Sequence, residues 1–171
     1  PHDQEVARVT ADRIAGMREG QIVQSGRPAE VYETPNSRYV ADFIGDVNLF
    51  EGAVTAADGK VVKMATADCP AGFEALEDDA VSVGSTAWLG VRPEKIQLHL
   101  DPPKEGPNRL PGKVADYGYI GDWTNYVVEL ESGRTVRAAR ANASRLVARP
   151  IACDDPVWLT FAPDAAVVLT R

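Results

Sequence analysis

The sequence predicts a mainly β protein whose few helices are confined to the residues before position 46. After Gly45 the chain becomes a series of short runs of β-branched and aromatic residues, separated by turn residues. Two of these separations, Asp58-Gly59 and Ser132-Gly133, are tight-turn dipeptides between apolar runs. Strands that are short and evenly spaced favour a small barrel or sandwich over alternating strands and helices.

The chain opens with a predicted helix and a hairpin. The helix is expected over residues 3–11, and two strands are expected at 13–17 and 22–25. Gly20 lies in the turn between these strands, where the absence of a Cβ permits the positive φ that such turns require. The hairpin therefore precedes the long β region as a separate small unit.

Two further short helices are predicted before the β region. Pro28 suits the first position of a helical turn because its φ is already helical. Asn36 or Ser37 can cap the N-terminus of the second helix, and Gly45 can end it. Its apolar residues form one stripe, which is typical of a helix docked on a surface.

Nine strands are expected in the β region, and one segment rich in proline interrupts them. Proline cannot donate to a strand ladder, so residues 101–111 are predicted to be a loop or linker, with the β region forming one domain or two lobes around it. The acidic stretch 74–79 is predicted to be a solvated loop. The expected strands are 50–55, 61–64, 86–91, 96–100, 113–119, 123–130, 135–139, 157–161 and 166–170.

Composition excludes several functional classes. The 171 residues carry a net charge of −7, which argues against nucleic-acid binding, because neutralising phosphates requires clustered Lys and Arg. No apolar run approaches the roughly 20 residues that span a bilayer, so direct membrane insertion is not expected. The two cysteines are far apart, which favours ordinary reduced thiols over a metal or redox motif.

Candidate sites for chemistry are sparse. A phosphate-binding loop needs G-x-x-x-x-G-K-[ST], and the two Gly-Lys steps, Gly59-Lys60 and Gly112-Lys113, lack both the earlier glycine and the hydroxyl residue. His99 with Asp101 is at most a two-ligand fragment, so no metal site is predicted. Four aromatic residues could stack against a ligand cation or simply belong to the β core and its rim. They are Tyr117, Tyr119, Trp123 and Tyr126.

Three segments carry a resemblance to a known family. The G-V-R-P-E sequence from Gly90 to Glu94, the stretch 112–122 and the stretch 157–164 resemble the transport-associated OB domain, called TOBE, which follows the ATPases of maltose-, iron- and polyamine-type importers. The opening, with His2 before Asp-Gln-Glu, resembles the switch-histidine end of an ABC-transporter ATPase domain. The R-P-E-K-I sequence and the stretch 117–122 look most like the importers of putrescine and spermidine.

The resemblance implies a division of the chain and a set of roles. Residues 1–50 would be the end of an ABC ATPase domain, and residues 51–171 would be a TOBE-like β domain with an OB-like barrel or sandwich. His2 would contact the γ-phosphate only in an intact parent, which would be a translocating ATPase using ATP and Mg²⁺; the fragment itself would bind no cofactor. Ligand or interface contacts are expected at Arg92, Glu94, Tyr119, Asp122 and Trp123.

The function that this resemblance implies is regulation and assembly. The domain would support dimerisation of the ATP-binding subunit and would couple ATP hydrolysis to polyamine uptake. Its partners would be a second copy and the membrane permease subunits, at the cytoplasmic face of the bacterial inner membrane. The alternatives are a domain that senses a small ligand, either a polyamine or another solute, as effector, and the same role in a maltose- or iron-type importer.

Overall fold

The computed structural model describes residues 9–77, 79–143 and 150–171, and these are mostly β-strand. The predicted mainly β fold, with helices before position 46, is confirmed. His2 and most of the predicted helix at 3–11 lie outside the described residues.

After residue 13, the N-terminal unit that the structure describes is a hairpin covered by two short helices. Strands β1 (Ile14–Arg18) and β2 (Gln21–Gly26) pair antiparallel, and Gly20 has φ +79° in the turn between them. Helix α1 (Pro28–Glu33) starts at the proline, and helix α2 (Arg38–Ile44) is capped by Ser37, whose hydroxyl accepts from the Val40 amide at 3.3 Å. The helices bury a small cluster against the hairpin, centred on Val31, Val40 and Ile44.

In the part of the chain that the structure describes, ten further strands form two antiparallel five-stranded sheets. One sheet has the order β12-β6-β3-β4-β5, and the other has the order β10-β9-β8-β11-β7. The edge strands β12 and β5 approach each other, as do β10 and β7, so each sheet curls toward a barrel. The strands are β3 (Asn48–Asp58), β4 (Val61–Thr66), β5 (Cys69–Leu76), β6 (Thr86–Val91), β7 (Gln97–His99), β8 (Arg109–Tyr119), β9 (Trp123–Leu130), β10 (Thr135–Ala141), β11 (Pro156–Thr160) and β12 (Ala166–Leu169).

The β region is a duplicated unit that exchanges its last strands. Strands β3 to β7 and strands β8 to β12 follow the same course, but β7 joins the second sheet and β12 joins the first. Each half has a bulge at the same place, after Val54 and after Val114. The sequence agrees: N-x-F-x-G-x-V opens the first half at Asn48, and N-x-L-x-G-x-V opens the second at Asn108. The duplication was not predicted, because the segment between β10 and β11 is longer than its counterpart and shifts the spacing of the matching positions.

One apolar core joins the two sheets. It contains residues from both halves, including the buried rings of Phe50, Phe73 and Phe161. The centroid of the Phe73 ring lies 4.9 Å from that of Phe50 and 5.6 Å from that of Phe161. Close packing also fixes Gly52 on β3, since a Cβ there would lie 2.3 Å from the carbonyl oxygen of Ala65.

Two predictions about elements were wrong. No strand was predicted at β5, because Pro70 and Gly72 disfavour one, yet Glu74 of the expected acidic loop lies within this strand. The edge position of β5 accommodates the proline. The predicted loop at 101–111 ends early, since β8 begins at Arg109. Pro111 fits there because this part of β8 pairs only with β11.

Candidate functional site

The first group of candidate residues lies at a corner between β6 and β7. Pro93 begins a single 3-10 turn, Pro93–Lys95, and Arg92 precedes it in extended conformation with φ −73°. Proline fixes φ at the start of the turn, so the chain leaves the sheet at a defined angle. The Arg92 side chain therefore points away from the strand pairing and toward α1 and α2.

Arg92 is buried, with 5% of its surface exposed. Its Nη1 donates to the carbonyl oxygens of Ala41 at 2.8 Å, Gly45 at 2.7 Å and Asp46 at 3.0 Å. Its Nη2 donates to the carbonyl oxygen of Tyr32 at 3.3 Å, and the guanidinium lies 4.2 Å from the centroid of the Tyr32 ring. Hydrogen bonds from a charged donor are stronger than neutral ones, so this buried cluster joins the β sheet firmly to both helices.

The next residues of the corner also contact α1. The Tyr32 hydroxyl donates to Glu94 Oε1 at 2.6 Å, and Lys95 forms an ion pair with Glu33. Arg92 and Glu94 are two of the residues at which the sequence predicts ligand or interface contacts. Both side chains contact the helices of the same chain. A ligand or subunit contact at these two residues stays a prediction.

Two asparagines connect the sheets, one in each half. Asn48 Nδ2 donates to the carbonyl oxygens of Val91 at 3.3 Å and Arg137 at 2.8 Å, while its Oδ1 accepts from the Arg137 amide at 2.8 Å. Asn108 bonds the amide and carbonyl of Glu74 in the same way, both at 2.8 Å. Each side-chain amide thus forms the two backbone hydrogen bonds that a neighbouring strand would otherwise form at the edge of the sheet. Sequence analysis missed this role, although the repeated N-x-[FL]-x-G pattern carried the signal.

The second group of candidate residues lies at the β8–β9 turn. Tyr119 is 71% exposed and Trp123 is 39% exposed, and Asp122 lies in the exposed turn between them. The turn is held by Asn142, whose amide donates to the Asp122 carbonyl oxygen at 2.7 Å. Arg92 and Glu94 follow β6 of the other sheet, so the five candidate residues form two separate groups rather than one site.

The predicted aromatic set lies on β8 and β9 and divides by burial. Tyr126 is buried, and desolvation raises the pKa of its phenol, whereas Tyr117, Tyr119 and Trp123 are exposed. The rings of Tyr117 and Tyr126 stack at 6.0 Å. Together with Tyr119 and Arg140 they line an open cleft of about 630 Å³. The guanidinium in this cleft disfavours a polyamine cation and suits an anionic or aromatic group.

The remaining residues that were considered for chemistry are a histidine and the two cysteines. His99 Nε2 lies 2.8 Å from Thr160 Oγ1 and joins β7 to β11. Both cysteines are free; Cys69 is buried, and desolvation raises the pKa of its thiol. Among residues 9–77, 79–143 and 150–171, no three metal-ligating side chains cluster, and no helix is long and apolar enough to cross a membrane.

Part of the β region matches a known domain family. Residues 89–169 match the model of the TOBE domain. The cytoplasmic molybdate-binding protein ModG has a similar fold, with a TM-score of 0.63 over 72% of this chain and 96% of that chain, at 14% identity.

Relatives of similar sequence include ATP-binding proteins of polyamine transport. The chain is 41% identical to the putrescine transport ATP-binding protein PotG of Escherichia coli, over 99% of this chain and 45% of that protein. It is 37% identical to the spermidine/putrescine import ATP-binding protein PotA of Nitrosomonas eutropha, over 98% of this chain and 46% of that protein. The chain therefore belongs to this TOBE-containing family and spans less than half the length of these relatives, matching their C-terminal part.

Proposed function

We propose that the chain is the C-terminal regulatory and assembly region of the ATP-binding subunit of an ABC importer for polyamines. The alignment with PotG along 99% of the chain carries this proposal. The buried side chain of Arg92 supports it, because its hydrogen bonds to α1 and α2 connect the β domain to the preceding elements. Glu94 adds an exposed hydrogen bond with Tyr32 of α1. Through this connection the β domain would influence ATP hydrolysis without performing chemistry.

The proposed parent divides at the start of the β region. Residues 1–50 would complete the ATPase domain, and residues 51–171 would form the TOBE domain. ATP and Mg²⁺ would bind only in the parent, where His2 would contact the transferring phosphate. The parent would hydrolyse ATP, dimerise with a second copy and dock on the permease subunits at the cytoplasmic face of the inner membrane.

The second candidate function is sensing of a small-molecule effector. The cleft lined by Tyr117, Tyr119, Tyr126 and Arg140 favours it, because rings and a guanidinium converge on an open volume of about 630 Å³. Such a site would belong to the same importer subunit and would modify its activity. A maltose- or iron-type importer is the less favoured parent, since the relatives above are named for putrescine and spermidine.

Deletion of residues 52–171 from the full-length protein tests the regulatory role. We expect the truncated subunit to dimerise more weakly and to import less putrescine per ATP hydrolysed, measured by sedimentation and by uptake into proteoliposomes. The matched control is Tyr119→Ala, which changes the cleft and leaves the domain in place. If the truncated subunit dimerises and transports as well as the intact one, the assembly role is wrong. If Tyr119→Ala alone abolishes an effector response, the sensing role is favoured.

A further inference from the structure

The duplication provides an internal comparison for the Arg92 corner. In the second half the corresponding sequence is Ala162-Pro163-Asp164, which also leads from a strand through a 3-10 turn into another strand. Arg92 has φ −73° and ψ 144°, and Ala162 has φ −73° and ψ 150°. The same backbone corner therefore forms with alanine in the place of arginine. Shaping the corner does not require the guanidinium.

The two corners differ in what packs over them. Ala162 is exposed, whereas Arg92 is covered by α1, α2 and the residues after α2. Three of the carbonyls that Arg92 bonds belong to Ala41, Gly45 and Asp46, at the C-terminal end of α2. Helix ends leave carbonyls without intrahelical partners, and a positive charge there also favours the helix dipole. Arg92 thus acts as a C-terminal cap supplied by the β domain.

The other contacts across this junction are more exposed. Lys95 with Glu33 and Arg137 with Asp46 are ion pairs open to solvent, and such pairs contribute little. The guanidinium of Arg38 lies 3.6 Å from the centroid of the Trp88 ring, which adds a cation–π contact. Only Arg92 among these charged groups is buried, so its loss would leave several desolvated carbonyls without their charged donor.

We infer that Arg92 is the positioning residue that fixes α1 and α2 to the β domain, so that the helices move with that domain as one body. Because the helices also pack on the β1–β2 hairpin, this body extends back to Ile14. In the parent importer subunit, whose identity rests on the proposed function, a movement of the ATPase residues before Ile14 would reach the β domain through the hairpin, the two helices and this buried arginine.

Hydrogen exchange of the 171-residue chain tests the inference, with Arg92→Ala copying the residue of the second corner. Losing the donor to several helix carbonyls should raise amide exchange within residues 28–46 by about tenfold or more. Exchange in β8 and β9 should stay unchanged. Arg92→Lys should give an intermediate rise, because an ammonium cannot reproduce the planar array of donors.

Arg109→Ala is the matched control. Arg109 is an exposed arginine of the β domain that donates to the Pro103 carbonyl oxygen at 3.2 Å, away from the helices. It should leave exchange in residues 28–46 unchanged. An equal rise across all strands, or an Arg92→Ala chain that does not fold, would show that Arg92 supports the β fold itself and would overturn the inference. Unchanged exchange in residues 28–46 would overturn it as well.

A transport measurement separates this inference from the proposed function. In the full-length subunit, putrescine imported per ATP hydrolysed should fall with Arg92→Ala and should not fall with Arg109→Ala. If exchange rises in residues 28–46 but the transport ratio does not change, the positioning role of Arg92 holds and the coupling role proposed for the domain fails.

Discussion

At the scale of single residues, the polar groups that matter most among the described residues are the buried amides of Asn48 and Asn108 and the buried guanidinium of Arg92. Asn48 and Asn108 each supply a donor and an acceptor to the backbone of the opposite sheet, so the ends of the duplicated halves are connected without a continuous ladder. Surface ion pairs are more numerous but more exposed, and solvent screens them. Specificity of sheet packing therefore depends on a few neutral hydrogen bonds.

Asn48→Ala should lower the free energy of unfolding by about 1–3 kcal/mol, because it leaves the amide and carbonyl of Arg137 without their partner. Urea denaturation followed by tryptophan fluorescence measures this change. Asn125→Ala is the control, since Asn125 is exposed on β9, and it should change stability by no more than about 0.5 kcal/mol. Equal effects of the two substitutions would contradict the bridging role of Asn48.

At the scale of elements, the close approach between the backbones of neighbouring strands decides the shape of each half. The long strands β3 and β8 each carry a glycine before a bulge, where the neighbouring strand crosses closely. A side chain at Gly52 would meet the Ala65 carbonyl oxygen at 2.3 Å, and one at Gly112 would meet the Glu129 carbonyl oxygen at 2.9 Å. Glycine lets these strands bend enough to curl each sheet.

Gly52→Ala should destabilise the chain by about 1–3 kcal/mol, since the new methyl group forces β3 and β4 apart. Thermal unfolding followed by circular dichroism measures the loss. Gly118→Ala provides the comparison, because its Cβ would meet no atom within 4 Å and its strand geometry suits alanine. A Gly52→Ala protein as stable as Gly118→Ala would show that the strands can separate at no cost.

At the scale of the whole molecule, duplication and strand exchange make the two sheets interdependent. Each half gives its last strand to the other sheet, and the apolar residues of both halves form one core. The N-terminal hairpin and helices then dock on one corner of this body through Arg92. The proposed regulatory and assembly role requires a rigid connection of this kind.

The isolated 171-residue chain should neither bind ATP tightly nor hydrolyse it. Phosphoryl transfer needs a positioned metal, amides that hold the phosphates and an oriented water, and the sequence contains no phosphate-binding loop. In the full-length subunit, His2→Ala should reduce turnover far more than it weakens nucleotide binding. Phosphate release and calorimetric titration with ATP measure the two quantities. Magnesium-dependent turnover by the isolated chain, abolished by His2→Ala, would contradict this assignment.

The sequence by itself determined the class of fold, the hairpin, the two helices and most strands, because these follow from local periodicity and from turn residues such as Gly20 and Pro28. The tertiary structure alone decided the pairing of β5, the exchange of β7 and β12, and the division of the candidate residues into two groups. Pro70 and Gly72 oppose a strand locally, and only pairing with β4 overrides them. The partners of Arg92 are likewise distant in sequence, with Ala41 separated from it by 51 positions. A local sequence pattern predicts a helix or a strand, but contacts between residues distant in sequence decide what that helix or strand packs against.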